Sequence, residues 1–236
     1  MVINTIKAKS NFFNFSHPQP YLIFSLGLLL ISIVFININD EYLSIDFLNS
    51  ILTFIVFISG IIFVLSYIIL KFSKENLQVV KTGTLKITTE EFIFNGEIKI
   101  PFNSVTDIKL ITNDYEGKLK NYNNDFNSSY TLGTENFIII KASKMQIKKQ
   151  IQLNSERELN LLHDFLSYQI IENKFKNAPV KKLISIFRDN YKSTNEARNF
   201  IASKINLGKL NTTEGLLMMN YTSDNEAKEL RKKYNL

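Results

Sequence analysis

The 236-residue chain contains no cysteine, no tryptophan and only two histidines, His17 and His163. Without thiols there is no disulfide, no thiolate zinc site and no cysteine nucleophile, and two histidines so far apart in sequence give no metal-ligand cluster. Glycine-rich phosphate loops, an HExxH helix and a GxSxG turn are also missing. The chain therefore reads as non-enzymatic, with no catalytic, metal or cofactor-binding residues and no cofactor. His17 precedes Pro18 and His163 adjoins Asp164 with no nucleophile or ligand nearby in sequence, so both read as surface or interfacial residues.

Charge is absent from two long stretches, Tyr21 to Ile38 and Phe47 to Leu70. Each approaches the roughly 20 apolar residues needed to cross a bilayer. They predict a cytoplasmic segment over 1–20 and a transmembrane hairpin over 21–71, with spans about 21–38 and 48–70. No small-x-small cleavage pattern follows the first stretch, which argues against a removable leader. Lys7 and Lys9 precede the pair and Lys71 and Lys74 follow it, whereas the connecting loop carries Asp40, Glu41, Asp46 and no base. Basic flanks stay inside, so both termini are expected in the cytoplasm. The lack of ionisable residues within the spans argues against an ion path or proton relay. Gly27, Ser59 and Gly60 are candidates for close helix approach.

From Thr84 the pattern changes to period two: Leu85 and Ile87, Phe92 and Phe94, then Ile98, Ile100 and Phe102. Such alternation marks half-buried strands, and Asn95-Gly96 between two of the runs is a strong hairpin signal. Further strands are expected over Val105 to Thr112, Glu135 to Ala142 and Met145 to Leu153. Asn113 to Gly133, rich in Asn, Asp, Gly and Ser, reads as a long mobile loop. Ser155 with Glu158 forms a capping box for a helix whose Leu159, Leu162, Leu166 and Ile170 share one face.

The segment LKITTEEFIFNGEIKIPFNSVTDIKL, with its Pro101-Phe102 pair, and the closing helix ERELNLLHDFLSYQI resemble the bacterial pleckstrin-homology-like (PH-like) domains that follow one or two membrane spans. The resemblance covers about Asn76 to Lys174. With the two spans before it and the basic residues after it, the expected fold is a membrane-anchored α+β protein: two transmembrane helices, then over 76–174 the PH-like antiparallel β-sandwich or open barrel closed by a C-terminal helix, then a small basic helical tail over 178–236. The resemblance also implies a bacterial inner-membrane location. The phosphoinositide-binding relatives suggest a basic first hairpin loop, but the turn here, Phe94-Asn95-Gly96-Glu97, has no cation.

From Asn173 onward the chain carries 13 Lys or Arg against 6 Asp or Glu, which accounts for the whole excess behind the net charge of +6. Val180, Leu183, Ile184 and Phe187 share a helical face with Lys181, Lys182 and Arg188 elsewhere, a basic amphipathic helix able to lie on a membrane or pack on the sheet. Lys181, Lys182, Arg188, Lys86 and Lys99 are thus candidate contacts to anionic headgroups. Ser193 with Glu196 and Ser223 with Glu226 open two further helices as capping boxes, one lined by Ala197, Phe200, Ile201 and Ile205. Leu216, Leu217, Met218 and Met219 form either a small core or a partner-docking surface. The expected function is a membrane-tethered binding or scaffolding protein whose partners are the bilayer and another protein. The alternatives are an anionic-lipid or membrane-stress sensor and an accessory subunit of a larger membrane complex. The basic tail lacks aromatics outside core spacing, which argues against nucleic acid.

Overall fold

The structure is a computed structural model that describes residues 1–10, 14–120, 128–143 and 145–236. The chain divides into two compact units: residues 1–7, 81–115 and 133–236, and residues 8–80 and 116–132.

The first unit is built on an antiparallel sheet. Strand β1 (Val2–Ser10) comes first in the chain, followed by β2 (Leu77–Ile87), β3 (Glu91–Phe94), β4 (Ile98–Pro101) and β5 (Val105–Thr112). A short ribbon of β6 (Glu116–Leu119) and β7 (Tyr130–Leu132) precedes β8 (Asn136–Ala142) and β9 (Met145–Gln152). The seven-stranded order is β4-β3-β2-β1-β9-β8-β5. Thus the two meanders, β2 to β4 and β5 with β8 and β9, meet through β1. This strand falls in the 1–20 segment, which the sequence marks only as a cytoplasmic segment before the hairpin. Its buried residues are Ile3, Thr5 and Ile6, and the adjacent pair Thr5-Ile6 breaks the apolar alternation that would have betrayed a strand.

The Asn95-Gly96 turn forms as its residue types require. Both residues have positive φ, 54° and 77°, and the Glu97 N–H closes the turn on the Phe94 carbonyl at 3.0 Å. The Asn95 side chain then accepts from the Thr84 N–H at 3.1 Å. Gly83, with φ of 152°, sits beneath it, and a Cβ there would collide with the Asn95 carboxamide. Glycine is therefore required at 83 for both conformation and space.

Helix α1 (Pro18–Ile38) and helix α2 (Asp46–Lys71) form the long hairpin of the second unit, joined by a π-helical turn over Asn39–Leu43. At about 1.5 Å per residue, α1 is about 31 Å long, the thickness of a hydrocarbon core. Both helices are long and apolar enough to cross a membrane. The hairpin is inverted relative to a water-soluble one. Ser25 and Ser32 on α1, Ser59 and Ser66 on α2, and Asn39 at the tip are buried, while Leu28, Leu30, Ile31, Phe54, Phe57 and Leu65 are exposed. The Ser25 and Ser32 hydroxyls are satisfied by the carbonyls of Leu22 and Leu28 within their own helix. Gly27 and Gly60 leave open space where a Cβ would stand, so the close packing falls to the serines rather than to these glycines. At the tip, Asn39 donates to the Ile45 carbonyl at 3.0 Å and to Asn49 Oδ1 at 2.8 Å, satisfying polar groups that close the turn.

His17 caps the start of α1. Its Nδ1 accepts from the Gln19 N–H at 3.2 Å, and its Nε2 donates to the Lys74 carbonyl at 2.8 Å. The same imidazole thereby ties the entry of the hairpin to its exit. Segment 113–133, read from sequence as one long loop, instead supplies β6 and β7, with Glu116 opposite Leu132; residues 121–127 lie outside the described residues. The ribbon accepts the chain leaving α2: the Glu75 N–H donates to the Tyr130 carbonyl at 2.9 Å, and Glu75 pairs with Lys120.

Helix α3 (Glu156–Ile171) is capped by Ser155, whose hydroxyl accepts from the Glu158 N–H at 3.2 Å. It buries Leu162, Leu166 and Ile170 in the same core as Phe92, Phe94, Phe102 and Ile138. The tail continues as α4 (Val180–Ile184), α5 (Asp189–Lys192), α6 (Asn195–Asn206), α7 (Thr212–Met218) and α8 (Asp224–Tyr234). Its Leu183, Ile184, Phe187, Phe200, Ile201, Leu216 and Met219 belong to that core too. The cap of α6 differs from the sequence expectation. Thr194, not Ser193, accepts from the Ala197 N–H, because Ser193 already ends α5 in the αR conformation and donates to the Asp189 carbonyl. The Ser223 cap forms as expected.

Candidate functional site

Two residues past the end of α3, Asn173 has a φ of 54° that turns the chain back sharply. The segment that follows, with Phe175 and Ala178 buried, returns across the end of α3 before α4 begins. Helix α6 closes the opposite side with Phe200 and Lys204. The result is a cleft of about 630 Å³ within the first unit. Its apolar lining includes Ile170, Phe175, Ala178, Leu183 and Phe200, and its polar lining is Asn173 with four lysines, Lys176, Lys181, Lys204 and Lys209. No acidic residue stands among the described residues that line it.

Lys204 is the unusual member. It is only 8% exposed, its ammonium lies 4.7 Å above the Phe200 ring and it donates to Asn173 Oδ1. Burial, and then repulsion from Lys209, holds it below the ordinary lysine value. Among the described residues no carboxylate pairs with it or with Lys209. Lys181, by contrast, is committed to Glu214 at 2.9 Å.

The lysines singled out from sequence do not converge. Lys182 pairs with Asp107 at 2.7 Å. Lys86 and Lys99 share the outer face of the β2–β3–β4 meander, where Ile93 stands opposite both. Arg188 precedes α5, and its charge adds to the burial that disfavours the charged form of His163. Helix α4 turns Leu183 and Ile184 into the core, leaving no apolar face for a membrane. Of the four residues considered for partner docking, Leu216 and Met219 are buried, Met218 is packed against the core, and Leu217 is 62% exposed. Lys204 and Lys209 escaped sequence reasoning because one occupies a helix position expected to be solvated and the other a turn. The only signal was Lys204 beside the core positions Ile201 and Ile205.

His163 is bonded at both nitrogens. Nδ1 donates to the Ile186 carbonyl at 2.7 Å, and Nε2 accepts from the Thr112 hydroxyl at 2.8 Å. The carbonyl can only accept, so the neutral ring carries its proton on Nδ1. Its role is to join α3 to β5 and to the turn after α4. Among the described residues no cluster of three His, Cys, Asp or Glu side chains could hold a metal ion.

No family model, no curated protein and no solved structure matches this chain.

Proposed function

We propose that the chain is a non-enzymatic, membrane-tethered binding module, with the α1–α2 hairpin in a bacterial inner membrane and a PH-like sheet domain on the cytoplasmic face. The observation that carries the tether is the inverted hairpin. Burying serines while exposing Leu, Ile and Phe is unfavourable in water and ordinary in lipid, where small residues let helices approach. The position of the hairpin supports a common side for both ends, since it interrupts the connection between β1 and β2 of one sheet. Antiparallel meanders followed directly by one amphipathic helix support the PH-like assignment. The proposed partners are the bilayer and a protein bound by the cytoplasmic unit.

Because the sequence has no cysteine, single cysteines can be placed without background. In intact spheroplasts, Tyr42→Cys at the hairpin tip is expected to react with a membrane-impermeant maleimide, and Ser223→Cys only after permeabilisation. Labelling of Ser223→Cys in intact cells, or recovery of the chain in the soluble fraction, would overturn the proposal. Crosslinking in intact membranes is expected to yield a stoichiometric protein adduct, and recovery of the chain alone counts against a protein partner.

A further inference from the structure

We propose that the cleft between the end of α3, the 175–180 segment, α4 and α6 binds a phosphate monoester carrying an aliphatic chain, with Lys204 and Lys209 holding the phosphate and Phe175, Leu183 and Phe200 the chain. It rests on the reading of the chain as a binding module and names what that module binds; it does not depend on membrane topology.

Three features meet here. The cleft has the volume of a small-molecule site, within the usual range of roughly 300–1,000 Å³. Its lining joins apolar side chains to four lysines and no acid, which matches an anionic amphiphile rather than a simple ion. Lys204 is a buried residue whose ammonium is held by a ring and a neutral amide and by no anion, and a partly desolvated cation gains from an anion beside it. Lys209 lines the same cleft, so two cations border one space with no carboxylate among the lining residues. A dianionic phosphate satisfies both, whereas an alcohol satisfies neither.

Phosphate monoesters of this kind arise as lipid headgroups or as soluble metabolites, and the chemistry that recognises them is the same. The full chain in phosphatidylcholine nanodiscs is titrated calorimetrically with hexyl phosphate, with inorganic phosphate and hexanol as separate probes and empty discs as the blank. Hexyl phosphate is expected to bind with one-to-one stoichiometry, at least tenfold more tightly than either comparison probe. Lys204→Met keeps the length of the side chain and removes the charge. It is expected to weaken hexyl phosphate at least tenfold while leaving the Tm unchanged or raised. Lys209→Gln, at an exposed position that does not threaten the fold, is expected to weaken it by a smaller factor, and Lys86→Met to leave it unaltered. Discs doped with phosphatidic acid separate the sources: loss of hexyl phosphate binding assigns the site to a lipid headgroup, and retention assigns it to a soluble ester. Equal affinity for inorganic and hexyl phosphate, or affinity indifferent to both Lys204→Met and Lys209→Gln, would overturn the site. Cysteine labelling as proposed above, with no hexyl phosphate binding, would leave the tether standing and remove this ligand.

Discussion

The Thr82 hydroxyl of β2 donates to the Thr5 hydroxyl of β1 at 3.3 Å, across 77 positions of sequence that include the entire hairpin. On its other side Thr5 stands opposite Ile151 of β9. The N-terminal strand is therefore the seam between the two meanders, and removing it would expose two edges at once.

A fragment beginning at Asn76 is accordingly expected to aggregate or to lack cooperative thermal unfolding. The contacts Met1–Ile87 and Thr5–Thr82 run antiparallel, so the ends of the two strands nearest the hairpin approach each other. A chain in which Met1–Ser10 is joined to Leu77 by an Asn-Gly turn is expected to fold as a soluble unit. Circular dichroism melts of the two fragments make the comparison, and cooperative folding of the shorter one would contradict the seam.

Gly83→Ala is expected to destabilise by about 1–3 kcal/mol, since it places a Cβ in a backbone conformation with positive φ and against the Asn95 side chain. Asn95→Gly removes the obstruction while keeping the turn. The double variant is expected to recover part of the loss, and strict additivity in a denaturant cycle would show that the two residues do not interact.

Asn136 is fully buried and uses all its bonding capacity. Its Oδ1 accepts from the backbone N–H groups of Asn113 and Asp114, and its Nδ2 donates to Asp114 Oδ1 and to the Gly133 carbonyl. It pins both ends of the 113–133 excursion. Asn136→Ala strands several buried polar groups and is expected to cost roughly 2–4 kcal/mol, measured by urea denaturation. A loss below about 0.5 kcal/mol would mean that water replaces the side chain.

Burial, aided by repulsion from Arg188, holds the His163 imidazole below its ordinary value of 6.5. The folded state thus binds the proton less readily than the unfolded chain, and stability falls as pH drops below 6.5 towards the lower folded value. Between pH 7.5 and 5.5 the wild-type Tm is expected to fall more steeply than that of His163→Gln, which cannot titrate. Parallel slopes would rule out His163 as the source. Glu226, held down to about 2 by the Thr222 N–H and by Arg198 at 2.6 Å, loses its contribution only below its ordinary 4.5, outside this window.

Local chemistry made much of the fold legible in advance. Asn95-Gly96 needs two positive φ angles and obtains them; Ser155 and Ser223 cap the helices they precede; strands β3, β4, β5, β8 and β9 follow from period-two burial. Each of these depends on residues within a few positions of one another. Thr194 displaced Ser193 as a cap because a neighbouring short helix had already claimed the serine, a competition that capping patterns alone do not resolve.

By itself the sequence determined two apolar helices, a half-buried antiparallel set of strands with an amphipathic helix after it, and an absence of thiols and histidine clusters. These depend on composition and period, which are properties of short windows. Only the tertiary structure decided that residues 2–10, which precede the hairpin, complete the sheet, that the serines rather than the glycines line the helix contact, and that Lys204 and Lys209 line one cleft. Those outcomes rest on pairings between residues far apart in the chain, where burial comes from the whole core, and no local pattern carries that information.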